Sequence, residues 1–392
     1  MTSSKHLTED LADEGVPSGV EHEDEAFKNH EPFDPASISL SSKVVALDAV
    51  LRRIKNGTIV LTPDFQRNQV WDVERKSLLI ESMMLRIPLP MFYVSEDKDG
   101  VWEVVDGLQR LTTIRDFILG PDGDGKGFKI KHLEFWGELF NGKDFYSIEK
   151  KSNMPRVINN IMEAELSFTV INPDTPEKVK RNIFKRINTG GMRLSSQEIR
   201  HALYQGKSTR LLKELTLTDS YERIMAKTIK DDRMAGRELI LRYLAFHLLG
   251  RKAYRGDMDE FLSNTMRHLN GDITIETEQN YSNDKIIDEF DKALERAYEI
   301  FGDHAFRRSR GNLRKTPINK SLFDVLMYCL TRASNETFNR IKTNKTDFEK
   351  KFHSILSNDE FSESIGRYGA DPLGVKHRYS TLIELFKEYS HA

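Results

Sequence analysis

Hydrophobic positions first recur at helical spacing near residue 44. Val44, Leu47, Leu51 and Ile54 follow one another at steps of three and four residues, which is the period of one face of a helix. The spacing predicts an amphipathic helix that begins near Ser41 and opens the ordered part of the chain.

Helical and alternating patterns succeed one another between residues 72 and 204. Asp72 is a suitable N-cap for a helix that Pro88 and Pro90 end. Glu165–Ile171 alternates apolar and polar residues, as a half-buried strand does. Ser195 and Glu198 form a capping-box pattern at the start of another helix. Further strands are predicted at 91–94 and 101–105, and further helices at 108–119 and 176–187.

Strand patterns stop after residue 206, and helices are predicted at 238–249, 285–301, 319–333 and 380–389. We therefore predict an α+β fold, in which a small mixed sheet with helices is followed by a mainly helical domain. The predicted domains are a disordered acidic arm at 1–36, a mixed domain at 37–205 and a helical domain at 206–392.

The formal net charge of −2 conceals an uneven distribution. The first 35 residues contain ten acidic residues and two lysines, a net charge of −8, which leaves +6 for the remaining chain. An acidic segment with several prolines and glycines and little hydrophobic content favours disorder. Two interpretations stay open: a solubilising tail, or an arm that occupies a basic groove or docks a partner.

The single cysteine, Cys329, excludes an intrachain disulfide and a cysteine-based zinc site. No apolar run approaches about 20 residues, so no membrane span is expected, and no signal-peptide pattern is evident at the N-terminus. We therefore expect a cytoplasmic protein.

The segment 104–114 carries the clearest chemistry, and its pattern predicts a strand, a glycine turn and a helix. The first turn of a helix presents unpaired backbone N–H groups and the positive end of the helix dipole. Gly107 lets the backbone approach a ligand, and Arg110 adds donors suited to phosphate oxygens. This combination predicts an anion site for a nucleotide phosphate, with a plain strand-to-helix turn as the alternative. Asp106 could cap the helix, hold Mg²⁺ or orient water.

Five sequence blocks occur in order, at residues 64–71, 79–90, 106–110, 184–191 and 194–200. The third, Asp-Gly-Leu-Gln-Arg, resembles the DGQQR box of the DUF262 family, which includes the N-terminal parts of GmrSD-type restriction enzymes and related phage-defence proteins. The other four resemble the family's early FQR…VW segment, its proline-ended helix, and its F-x-R-I-N-T-G-G and L-S-x-x-E-I-R segments. Further similarity continues at 232–234, 238–246 and 318–320.

The resemblance implies a fold related to ParB and sulfiredoxin, in which the box lies against the phosphates of a bound nucleotide. Some family members hydrolyse NTPs through this box, and some couple hydrolysis to DNA cleavage. By position, the resemblance implies catalytic roles for Asp106, Gln109 and Arg110, with Asp106 as the contact to Mg²⁺. The residues that it implies around the nucleotide are Gln66, Arg67, Gly107, Arg186, Asn188 and Thr189.

Leu108 departs from the family box, since it stands where the first glutamine is found. A leucine side chain neither donates nor accepts a hydrogen bond. If the family's glutamine positions water or metal, hydrolysis here is weak or lost while binding survives. If the side chain faces the core, nothing changes.

Two other patterns have ordinary explanations, and one expected nuclease motif is absent. The segment 120–127 matches G-x-x-x-x-G-K, but Gly127 stands where a P-loop requires Ser or Thr, and a helix rather than a strand precedes it. Arg242 and His247 have the spacing of HEPN ribonucleases, but their apolar surroundings predict a packed helix. No D-H-x-x-P-like segment of an HNH nuclease follows residue 210.

A basic cluster lies around Gly311 and permits two interpretations, a solvated loop or a patch for a nucleic-acid backbone. Its residues are Arg307, Arg308, Arg310, Arg314 and Lys315.

Together, these observations predict a nucleotide-binding protein, an Mg²⁺-dependent NTPase that acts as the sensor or regulatory part of a restriction-like or phage-defence system. One alternative is a DNA nickase or nuclease of the ParB-like type. Another is a non-enzymatic interaction module or antitoxin-like partner of a neighbouring effector protein. The expected partners are a nucleotide and, under the alternatives, DNA or that effector.

Overall fold

The computed structural model describes residues 9–11, 17–23, 37–61, 71–151, 155–187, 194–277, 281–309 and 314–390. The chain divides into two compact units. Residues 32–194 form the first, called here the mixed unit, and residues 1–31 together with 195–392 form the second, called the helical unit.

Seven strands occur among the described residues, two in the helical unit and five in the mixed unit. They are β1 (Glu9–Leu11), β2 (Pro17–Glu21), β3 (Leu40–Ala46), β4 (Ile59–Val60), β5 (Phe92–Glu96), β6 (Trp102–Asp106) and β7 (Glu165–Ile171). The mixed unit has one sheet in the order β3-β7-β5-β6-β4. Its β3–β7 and β5–β6 pairs are antiparallel, whereas β5–β7 and β4–β6 are parallel.

Helices cover the sheet of the mixed unit and supply much of its core. They are α1 (Leu47–Lys55), α2 (Val73–Met84), α3 (Leu108–Ile118), α4 (Gly137–Phe140), α5 (Phe145–Lys151), α6 (Pro155–Met162) and α7 (Glu177–Ile187). Phe92, Trp102 and Phe168 pack at the centre, and both Phe92 and Trp102 have ring centroids 5.3 Å from that of Phe168. The strands β5 and β6 are therefore fixed to a buried aromatic cluster, and β6 leads directly into α3.

The helical unit has a separate core around α11 and α14, whose side chains are almost all buried. Its helices are α8 (Ser196–Leu203), α9 (Lys207–Thr216), α10 (Asp219–Tyr221), α11 (Ala235–Leu248), α12 (Met258–Asn270), α13 (Asn283–Phe301), α14 (Lys320–Arg332), α15 (Asn335–Thr343), α16 (Lys345–Leu356), α17 (Asp359–Ser364) and α18 (Pro372–Glu388). A π-helical turn at Glu222–Ala226 and short 3₁₀ turns at Asp231–Arg233, Arg251–Ala253 and Gly302–His304 connect them.

The predicted α+β class, with a small mixed sheet followed by a mainly helical part, is confirmed. The helix predicted from Ser41 is wrong in its first half, because residues 40–46 form β3 against β7 and the helix begins only at Leu47. Val44 is 63% exposed, so its place in the helical period was accidental.

The N-terminal arm also differs from the prediction of disorder at residues 9–11 and 17–23. These residues form the antiparallel pair β1–β2 in the helical unit, and Val20 is fully buried there. The division between the units falls between Leu194 and Ser195, ahead of the predicted boundary at 205/206. Within the described parts of the chain, no helix combines the length and apolarity needed to cross a bilayer.

Candidate functional site

The turn between β6 and α3 requires a glycine for two reasons. Gly107 adopts φ +92°, a left-handed conformation, and it is the N-cap of α3. A Cβ atom at this position would lie 2.3 Å from Cδ1 of Phe92, inside van der Waals contact. Only a residue without a side chain meets both demands, so the backbone of the turn packs directly on the aromatic ring.

The first turn of α3 presents backbone donors. The N–H of Leu111 donates to the carbonyl of Gly107 over 2.9 Å, which is the first hydrogen bond of the helix. The N–H groups of Leu108, Gln109 and Arg110 precede it and have no acceptor within α3. Gly107 has no side chain that could cap this end of α3, so the N-cap residue does not neutralise the positive end of the helix dipole.

Arg110 holds the turn and the chain before β5 together. Its Nη2 donates to Asp106 Oδ2 over 2.9 Å and to the carbonyl of Met91 over 3.2 Å, and its Nη1 donates to the carbonyl of Pro90. The guanidinium also lies 4.5 Å from the ring centroid of Phe92. A guanidinium has five N–H donors, so these bonds leave donors for a ligand.

Burial lowers the pKa of Arg110, while the carboxylate of Asp106 acts in the opposite direction. An arginine starts so far above neutrality that it keeps its charge. The turn therefore combines the permanent charge of Arg110, which is paired with Asp106, with the N–H groups at the start of α3. Helix N-termini of this kind favour anions.

Asp106 could contribute to a metal site only together with other ligands. Its side chain is 39% exposed, and Oδ2 is already bonded to Arg110. Within the described ranges, no group of three or more His, Cys, Asp or Glu side chains could hold a metal ion. Mg²⁺ is commonly held by one or two carboxylates with substrate phosphates and water, and a single exposed carboxylate fits that kind of site.

Leu108 is half-buried and packs against the core of the mixed unit. This favours the second interpretation of the departure from DGQQR, in which the side chain faces the core. Leu108 therefore does not remove a hydrogen-bonding group from the exposed surface of the turn.

The structure brings four predicted site residues together at the turn, namely Asp106, Gly107, Gln109 and Arg110. Gln109 is partly exposed in the first turn of α3. Arg186 is exposed near the end of α7, and no contact of it with the turn is found among the described residues. Gln66, Arg67, Asn188 and Thr189 lie outside the described residues.

Glu103 was not singled out from the sequence, yet the pKa of its carboxyl is raised. Burial, with a contribution from Asp97, raises the pKa of Glu103 to about 7, although nearby Lys180 opposes the shift. It lies on β6 next to the buried Trp102. A carboxylate within the apolar run Trp-Glu-Val-Val was the available sequence signal.

The predicted nucleic-acid patch loses two of its members to internal contacts. Arg307 is buried and donates to the carbonyls of Asp303 and Thr316 and to Oγ1 of Thr228. Arg308 binds Glu21 through a hydrogen bond of 3.0 Å and a second ion-pair contact of 2.9 Å. These two side chains are therefore structural, and the predicted nucleic-acid patch is wrong at Arg307 and Arg308.

Of the remaining members, Arg314 and Lys315 are exposed, and Lys315 pairs with Asp303. Arg310 lies outside the described residues. The basic cluster therefore offers at most a small exposed surface among the residues that the structure describes.

The two sequence patterns judged incidental have the expected surroundings. The glycine-rich segment 120–127 is a loop after α3 rather than after a strand. Arg242 and His247 are buried in the packed helix α11, where His247 pairs with Glu289 over 2.9 Å. Arg242 is 1% exposed, as a packed helix requires.

Residues 47–205 match the family model for the GmrSD restriction endonuclease, N-terminal domain. The DUF262-type resemblance is thereby confirmed for these residues. No curated protein and no solved structure matches the chain. The DUF262-type domain thus contains the Gly107 turn, whereas the helical region after residue 205 has no counterpart among these comparisons.

Proposed function

We propose that the DUF262-type domain binds a nucleoside triphosphate at the Gly107 turn and hydrolyses it with Mg²⁺. In this proposal the chain is the sensor or regulatory part of a restriction-like or phage-defence system. The match to the N-terminal domain of a restriction endonuclease supports the biological setting.

The observation that carries the proposal is the close packing of Gly107 on Phe92 at the start of α3. At this end of α3 three backbone N–H groups have no acceptor within the helix, and Arg110 lies in the same turn. Backbone N–H groups and a guanidinium together suit the oxygens of a phosphate chain. Asp106 would contribute one carboxylate to a phosphate-bound Mg²⁺, and Gln109 would contact the phosphates.

The proposal predicts distinct results for two variants of the box. Arg110→Ala should weaken ATP or GTP binding by about tenfold or more, since a charged hydrogen bond contributes about 1.5–3 kcal/mol. Leu108→Gln should leave nucleotide affinity and phosphate release near the wild-type level, because Leu108 packs against the core. Binding is measured by calorimetry with Mg²⁺ present, and phosphate release by a coupled assay.

Arg115→Ala is the matched control, since Arg115 lies one turn further along α3 and pairs with Asp116. A wild-type protein that binds no nucleotide with Mg²⁺ would refute the proposal. Nucleotide binding without release, restored to turnover by Leu108→Gln, would instead indicate a nucleotide sensor with degraded catalysis.

A DNA nickase or nuclease is the second candidate, and the restriction-type domain is the observation that favours it. The internal contacts of Arg307 and Arg308 remove part of its original basis. Supercoiled plasmid incubated with the protein, Mg²⁺ and NTP should become nicked if this candidate is right. Plasmid that stays supercoiled would leave the nucleotide-sensor proposal as it stands.

A further inference from the structure

The residues at 17–23, called here the N-terminal segment, lie against the helical unit as an added strand. Val20 pairs in parallel with Ile318 and supplies the one buried aliphatic side chain of the segment. The main-chain hydrogen bonds are Glu21 N–H to the Ile318 carbonyl (2.8 Å), Ile318 N–H to the Gly19 carbonyl (2.9 Å) and Lys230 N–H to the Ser18 carbonyl (3.0 Å).

Two glutamates of the segment are bound by side chains from distant parts of the sequence. Arg308 Nε donates to Oε2 of Glu21 over 3.0 Å, and Arg308 Nη2 lies 2.9 Å from Oε1 in an ion pair. Asn319 Nδ2 donates to the same carboxylate over 3.0 Å. A bidentate arginine contact of this kind is specific for a planar carboxylate.

Glu23 is bound in the same way two residues later. Arg242 donates to its two oxygens over 2.8 and 3.1 Å, and Ser321 Oγ donates over 3.0 Å. A Cβ at Gly369 would lie 3.2 Å from Oε1 of Glu23 and 2.9 Å from Oγ of Ser321, so the backbone there lies close against the carboxylate. Burial would raise the pKa of Glu23, but Arg242, Lys320 and Arg378 lower it overall.

The donors that hold these glutamates are also anchored to the body of the helical unit. Arg242 pairs with Asp324 over 2.6 Å. Arg308 and Asn319 both donate to the carbonyl of Ile365, over 3.0 and 2.8 Å. Their positions therefore have support that does not come from the N-terminal segment.

The charges around the site match two carboxylates. The body contributes the four cations Arg242, Arg308, Lys320 and Arg378 and the two anions Asp324 and Glu238. An excess of two positive charges would remain if the segment left. Arg378 is fully buried, and its Nε and Nη2 have no hydrogen-bond partner in the described residues. At the rim, Asp10 adds a third carboxylate, 2.7 Å from Nζ of Lys320.

We propose that the helical unit contains a binding site for an extended acidic peptide with glutamates at Glu-x-Glu spacing, and that the N-terminal segment is its exchangeable intramolecular ligand. The site takes the peptide by strand pairing to Ile318 and by two arginine–carboxylate contacts. A partner protein that presents such a peptide competes with the segment for it. This site is separate from the Gly107 turn and does not depend on nucleotide binding.

The first test uses the full chain with Glu21→Gln and Glu23→Gln combined. A fluorescent peptide of residues 9–23 is titrated and its anisotropy measured. Because the variant's own segment has lost both charged contacts, it should bind the peptide at least about tenfold more tightly than the wild type does. Glu276→Gln with Glu384→Gln is the matched control, since both residues are exposed in the same unit.

The same peptide with glutamine at both positions should fail to bind. Equal binding of the glutamine peptide, or no gain by the double variant, would overturn the proposal. Displacement of the bound peptide by a dT oligonucleotide at a lower concentration than unlabelled peptide would overturn the assignment to an acidic peptide.

Hydrogen exchange can be measured on the wild type, so a folding defect of a variant does not affect this test. The N–H groups of Glu21, Lys230 and Ile318 donate the main-chain hydrogen bonds between the segment and the rest of the helical unit. If the segment is exchangeable, they share one opening equilibrium that is faster than that of the amides in α11 and α14. Exchange of these three amides only with global unfolding would make the segment a permanent strand and refute the proposal.

Discussion

At the scale of single residues, two glycines with positive φ play different parts in the DUF262-type domain. Gly107 needs its conformation and also has Phe92 where a side chain would stand. Gly123 has φ +73° with nothing within 4 Å of an added Cβ. Substituting both glycines therefore separates the free-energy cost of a left-handed backbone from the cost of a side chain that clashes with Phe92.

Gly107→Ala should lower the free energy of unfolding of the mixed unit by about 2–4 kcal/mol, of which about 1–2 kcal/mol comes from the left-handed backbone and the rest from overpacking. Gly123→Ala should cost only the backbone part. Trp71, Trp102 and Trp136 all lie in the mixed unit, so urea unfolding followed by tryptophan fluorescence measures both. Equal losses for the two variants would mean that Phe92 does not restrict the turn.

Glu103 should make the stability of the mixed unit depend on pH. Its pKa is raised from 4.5 to about 7 in the fold, so the protonated form is favoured there. The stabilisation is fully present below about pH 4.5 and is lost as the pH rises through about 7. Glu103→Gln keeps the neutral shape and should remove this loss between pH 5 and pH 8.

The matched control is Glu165→Gln, at an exposed position of the same sheet. Urea midpoints from tryptophan fluorescence at both pH values make the comparison. If wild type and Glu103→Gln change in parallel with pH, Glu103 is not the group that titrates.

At the scale of elements, the sequence predicted the helices and strands that are marked by a pattern of neighbouring residues. Asp72 accepts from the N–H of Arg75 over 2.7 Å as the predicted N-cap of α2, and Glu165–Ile171 is the predicted strand β7. β3 was missed because its exposed edge position removes the alternation that marks a half-buried strand. Its partner β7 lies more than a hundred residues away, so the pairing has no local signal.

The capping box at α8 has a consequence for stability. Ser195 Oγ accepts from the N–H of Glu198 over 3.1 Å and donates to the carbonyl of Arg233 over 3.0 Å. Ser195→Ala should therefore cost about 2 kcal/mol, more than the ~1 kcal/mol of a simple N-cap. Ser282→Ala, which removes only the cap of α13, is the control, and urea unfolding followed by circular dichroism measures both. Equal costs would show that the bond to Arg233 adds nothing.

At the scale of the whole molecule, the Gly107 turn could be predicted from sequence because its residues are consecutive. The buried charges of the helical unit could not, because Glu23, Arg242, Asp324 and Arg378 meet only in the fold. The acidic arm was predicted as disordered for the same reason. Acidic side chains stay hydrated unless the fold places cations beside them, and those cations come from distant parts of the sequence. The interpretation of an arm in a basic groove is the one that this geometry favours.

The separate cores of the two units suggest a test of how the molecule unfolds. The described residues of the two cores include none in common.

Asp324 is fully buried between Arg242 and Arg378, so Asp324→Asn leaves buried positive charge uncompensated and should cost about 3–5 kcal/mol. The urea midpoint from circular dichroism, which the helical unit dominates, should fall. The midpoint from tryptophan fluorescence, which reports the mixed unit, should stay at the wild-type value. Asp359→Asn, at an exposed position, is the control. If both midpoints fall together, the two units unfold as one cooperative structure.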